Sequence, residues 1–152
     1  MSPAAAGRRL LHHLGRRGAY LCVMGLGWAG YGADIILDPR YGTARGIGLL
    51  THAAPIWVWG VGWTVAGTVA LLCGLIRSPR LDNAGFLCIC TPPAVWSMAY
   101  TFAWVSGAYQ PVWGSAIAWT AELGGFLIVS GWTELPRDTL RAMRGIGGAH
   151  GG

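Results

Sequence analysis

No lysine occurs anywhere in the 152 residues, and charge of either sign is scarce: eleven basic and six acidic side chains make up 11% of the chain. A soluble domain carries about a quarter of its residues as charge, so a water-facing globule is excluded. All eleven basic residues are arginine, a usage that reflects a GC-rich genome rather than a mechanism. The four cysteines form no CxxC pair and have no neighbouring histidine to complete a metal set. Neither a disulfide scaffold nor a zinc site is therefore expected. GxSxG, HExxH and phosphate-loop signatures are also missing, and no enzyme activity and no cofactor are expected.

What is abundant is apolar. Hydrophobic residues reach 53%, with 25 glycines and nine tryptophans, a mixture suited to close helix packing and interfacial anchoring in a bilayer. Four segments have spanning length, at about 19–37, 53–76, 84–108 and 111–132. The fold class expected is all-α, a polytopic four-transmembrane-helix bundle. Residues 1–18 read as a basic N-terminal arm and 133–152 as a basic, glycine-rich tail. Asp38-Pro39 stops the first span, 40–46 forms a short polar loop, and 47–52 lies at the interface. The first apolar segment is too long, and lacks too clearly a small-x-small site, to be a cleaved signal peptide. It is read as a retained span.

Arginines cluster at the span ends. The arm has four, the loop after span two has two and the tail has three, against Arg40 and Arg45 on the other side. Nine against two puts both termini in the cytoplasm of a bacterial inner membrane. The same distribution argues against nucleic acid as a partner. The bilayer, and other copies of the chain, are the partners expected.

Within the spans, Glu122 stands out as the ionisable residue at the middle of span four. A carboxylate at that depth costs at least about 3 kcal/mol, so it is expected to face the bundle interior as a proton- or cation-binding group or as a hydrogen-bonding link. Trp28, Trp63, Trp96 and Trp119 each fall near the centre of a different span and are candidates to line a pocket, aromatic faces being attractive to organic cations. Asp34 and His52 lie toward the same end of spans one and two and are candidates for a proton-entry pair. Gly62, Ala66, Ala70 and Gly74, four apart, form a small-residue packing stripe on span two, with Gly25, Ala29 and Ala33 on span one. Pro92-Pro93 is expected to bend span three. Cys22, Cys73, Cys88 and Cys90 are read as apolar filler, with no metal.

The segment from Arg16 to Pro39, RRGAYLCVMGLGWAGYGADIILDP, resembles the opening of small four-span membrane proteins encoded by actinobacterial phages and prophages. LLTHAAPIWVWGVGW (Leu49 to Trp63), the Pro-Pro of span three and GWTELPR (Gly131 to Arg137) fit the same group, so the resemblance covers nearly the whole chain. It implies a phage-type, non-enzymatic membrane protein, holin-like or otherwise acting on the host membrane by helix association. The other readings are a small proton-coupled transporter using Glu122 and an accessory subunit of a larger membrane complex.

Overall fold

The computed structural model of the chain describes residues 3–76 and 78–131. The tail at 133–152 and Trp132 lie outside them. Six helices follow in order: α1 (Pro3–Leu37), α2 (Tyr41–Gly46), α3 (Gly48–Ala53), α4 (Ile56–Leu75), α5 (Pro79–Val105) and α6 (Trp113–Ser130), the last entered through a 3₁₀ turn at Gln110–Val112. Among the described residues four stretches are long and apolar enough to cross a bilayer: Leu14–Leu37, Ile56–Leu75, Arg80–Val105 and Gln110–Ser130. The chain is a multi-pass, four-span helical membrane bundle.

The boundaries follow local chemistry. Gly15, at φ 74° and ψ 177°, interrupts α1, a backbone geometry that glycine adopts without strain. The basic segment expected as an arm is thus already helical from Pro3, and the span begins at the Gly15 break. Asp38 N–H still reaches the Asp34 carbonyl at 2.8 Å, but Pro39 has no N–H to continue the ladder. The segment expected as a polar loop is instead helical, because α2 and α3 lie as two short turns across this end of the bundle, here called the capped end. Trp59 Nε1 donates to the Leu50 carbonyl at 3.1 Å and ties α3 to α4. Pro79 and Asp82 occupy the first turn of α5, where a missing donor costs nothing and an acid meets the positive helix end. Gly107, at φ +72°, closes α5, and its N–H bonds the Trp104 carbonyl at 3.1 Å.

The tightest contact in the molecule is between α1 and α4. Along α1 the buried positions are Leu14, Gly18, Leu21, Gly25, Trp28, Gly32 and Ile35, an unbroken alternation of four and three. Along α4 they include Gly60, Trp63, Gly67, Ala70 and Gly74, spaced three and four. The glycines therefore recur every seven residues on both helices, and they meet in antiparallel register: Gly18 with Gly74, Gly25 with Gly67, Gly32 with Gly60. A Cβ added to Gly18, Gly25 or Gly32 would stand 2.8, 2.6 or 2.5 Å from the opposite glycine's carbonyl oxygen. No side chain fits there, so backbone lies on backbone, and Cα–H groups face carbonyls across the seam.

This seam corrects the stripe expected from four-residue spacing. Ala70 and Gly74 are buried and Ala66 is half-buried, but Gly62 is exposed and a Cβ on it would meet nothing within 4 Å. Steps of four advance about 40° around the helix each time and wind off the contact, whereas a seven-residue repeat drifts only about 20° per two turns.

Outside, the bundle is coated with aliphatic side chains: Val23, Leu26, Val65, Leu72, Leu87, Met98, Leu127 and Ile128 are all exposed. Apolar surface on this scale is stable only against lipid. At the end opposite the cap, Arg17 donates to Asn83 Oδ1 at 3.0 Å and stands 5.0 Å from the Phe86 ring centre, pinning α1 to the start of α5.

If the glycine seam organises the fold, Gly67→Val should lower unfolding free energy by about 3 kcal/mol or more, while Gly62→Val should change it by less than about 0.5 kcal/mol. Detergent-denaturation curves followed by far-UV circular dichroism measure both.

Candidate functional site

Between the α1–α4 pair and the α5–α6 pair the space is filled by rings. Trp63 lies at the hub, with Trp28, Tyr31, Trp96 and Trp119 centred 4.8, 4.9, 5.3 and 5.3 Å away. Trp28 also meets Trp119 at 5.9 Å and Phe126 at 5.8 Å. Several of these pairs are edge-to-face, the arrangement the ring quadrupole favours. The four tryptophans expected near mid-membrane do come together, one from each span. They pack on one another as a core; Trp63 and Trp96 are each only 1% exposed.

One polar bond anchors this core. A helical carbonyl normally accepts from the N–H four residues on, and for Ile89 that residue is Pro93, which has none. Trp28 Nε1 fills the gap, donating to the Ile89 carbonyl at 3.1 Å in a buried site. Pro93 is thereby accommodated within α5, which runs through both prolines as one helix. The Tyr31 hydroxyl lies beside the Trp96 indole, although Nε1 of neither Trp63 nor Trp96 makes a well-formed hydrogen bond among the described residues.

At the capped end, Tyr31 and Trp119 form the border between this core and a polar cavity of about 250 Å³. Its wall carries Asp34 and Asp38 of the α1 end, Arg40, Thr43 of α2, Tyr100 of α5 and Ser115 of α6. Tyr31, Asp34 and Asp38 are three and four residues apart, so the last two turns of α1 present them on one side. Arg40 approaches Asp34 with an N–O distance of 3.8 Å, in a pair whose side chains are 78% and 47% exposed. Such a pair is weak. Two carboxylates against one guanidinium leave the lining with one net negative charge.

Of the acids and histidine expected to cooperate, only Asp34 belongs to this cavity. His52 is exposed at the end of α3 and is not part of its lining. Glu122, expected to face the interior, is exposed. The inward arc of α6 is taken by Ala116, Trp119, Leu123 and Phe126, which fill the core, and Glu122 falls at the edge of that arc. Within the chain its electrostatic neighbour is Tyr20 of α1. Asp38, Tyr31, Tyr100, Thr43 and Ser115 are cavity residues not singled out from the sequence. The i, i+3, i+7 spacing of Tyr31, Asp34 and Asp38 was the available signal for two of them, masked by reading Asp38-Pro39 only as a helix stop.

The four cysteines are free thiols: Cys73 is buried and Cys22, Cys88 and Cys90 are half-buried. Among the described residues no three acids, histidines or cysteines gather closely enough to hold a metal ion.

Trp28→Phe keeps an aromatic ring but removes the donor to Ile89. It should cost about 1–3 kcal/mol of stability, read from detergent denaturation, with helix content unchanged in the folded state. No protein family, curated protein or solved structure matches the chain, so its activity has to be read from these residues.

Proposed function

We propose that this multi-pass membrane protein binds a small organic cation of the alkylammonium type at the capped end of the bundle. The observation that carries this reading is the cavity in which Asp34 and Asp38 share a wall with Tyr31, Tyr100 and Trp119. Carboxylates supply the charge, and aromatic faces supply the soft, weakly hydrating surface that an alkylated ammonium prefers over water. A hard metal ion needs six or more oxygen ligands; two carboxylates beside three aromatic rings suit an organic cation better, with Arg40 held toward Asp34. At about 250 Å³ the cavity is smaller than pockets for drug-sized ligands, which begin at about 300 Å³.

The proton-coupled reading centred on Glu122 is favoured less, because Glu122 lies outside the ring core and away from the two acids that share a cavity. The holin-like reading implied by the phage resemblance requires surfaces for helix association. Of the small residues read as packing stripes, Gly25 and Gly74 are taken up by the α1–α4 seam, which leaves Gly62 as the exposed member of the span-two stripe.

Full-length protein in lipid nanodiscs, titrated calorimetrically, should bind choline and not its neutral isostere 3,3-dimethylbutanol. Asp34→Asn should weaken binding about tenfold or more, equivalent to about 1.4 kcal/mol, and His52→Ala should leave it unchanged. Equal binding of the neutral isostere, or an unaffected Asp34→Asn protein, rules the reading out.

A further inference from the structure

Glu122 lies near the middle of α6, yet its side chain is exposed. Around it the helix surface is bare. Gly114, Ala118 and Ala121 are exposed and Gly125 is half-buried, and their spacing of four, three and four keeps them on one side of the helix. A Cβ placed on Gly114 or Gly125 would meet nothing within 4 Å. The contrast with the α1–α4 seam is sharp: there, paired glycines on both helices are filled by the opposing backbone, whereas here the same kind of surface has no occupant among the described residues. Ile117 and Ile128 border it on the side away from the core, both well exposed.

We propose that the chain pairs with a second copy of itself through this flank of α6, with Glu122 of one copy against Glu122 of the other. Three physical points select a second copy as the occupant. An acid facing hydrocarbon costs at least about 3 kcal/mol; Tyr20 of α1 stands near one side of Glu122, and a polar partner on its exposed side lowers that cost further. A protonated carboxyl carries one donor and one acceptor and is complementary to itself. Two copies inserted in the same sense are related by an axis along the membrane normal, and that rotation keeps every residue at its own depth. Glu122 then meets Glu122, and Gly114, Ala118, Ala121 and Gly125 let the two α6 backbones approach as α1 and α4 already do. The pairing is independent of cation binding, since none of these residues lines the Asp34 cavity.

The test is single-molecule photobleaching of full-length, dye-labelled protein in liposomes at falling protein-to-lipid ratio. The expected result is two copies per spot at high ratio, separating on dilution. Glu122→Leu and Gly114→Leu should each weaken pairing about tenfold, and Glu122→Gln should preserve it, because an amide also carries donor and acceptor. Denaturation curves of the two leucine variants should match the parent, since both positions are exposed among the described residues. One copy per spot at every ratio overturns the proposal, as does pairing that survives both leucine substitutions. A single copy bound one-to-one to a different membrane protein through Glu122 overturns it too.

Discussion

The constraint on which the bundle depends is the absence of side chains along one line. In water, helices associate because apolar side chains leave solvent; in lipid that gain vanishes, and proximity itself has to supply the attraction. Gly18, Gly25 and Gly32 against Gly74, Gly67 and Gly60 bring two backbones together over most of a bilayer's depth. With α1 and α4 locked into one unit, the larger residues interleaved between the glycines are directed inward. Leu21, Trp28 and Ile35 on α1 and Trp63 and Ala70 on α4 belong to the hydrophobic core.

That placement explains why the centre of the molecule is aromatic. The close α1–α4 pair leaves a wide space toward α5 and α6, and α6 is joined to α1 by rings: Trp28 and Tyr31 with Trp119, and Tyr20 and Trp28 with Phe126. Large, stiff side chains bridge such a gap at low entropic cost, having few rotatable bonds to immobilise. The same arrangement lets one indole repair the backbone where Pro93 leaves a carbonyl without its donor. Proline is tolerated in a membrane helix when a neighbour restores the lost hydrogen bond, and here the neighbour is Trp28.

Polarity is then confined to places the seam and the rings do not reach. Above the core, the end of α1 meets α2, Tyr100 and Ser115, and Asp34 and Asp38 face a cavity instead of lipid. Beside the core, the inward arc of α6 is fully used by Trp119, Leu123 and Phe126, which displaces Glu122 to the flank. The two acidic features thus have different surroundings. One borders a partly open cavity lined by several helices, and the other faces outward amid glycine and alanine.

The membrane class and the number of spans were legible in the sequence, because hydrocarbon solubility and backbone hydrogen bonding act on composition and length alone. So was the presence of one tryptophan per span at matching depth, since depth follows from position along a helix. Which face each helix turns inward was decided only in three dimensions. The four-residue stripe through Gly62 and the seven-residue one through Gly67 are both present in α4, and only the register against α1 selects between them. Glu122 was expected to face inward and is exposed: cost in lipid says that a partner is needed, but the rotation of α6 is set by how Trp119 and Phe126 fit against Trp28. Tyr100 and Ser115 reach the Asp34 cavity from helices far away in the chain, a juxtaposition that no local pattern encodes and that packing alone creates.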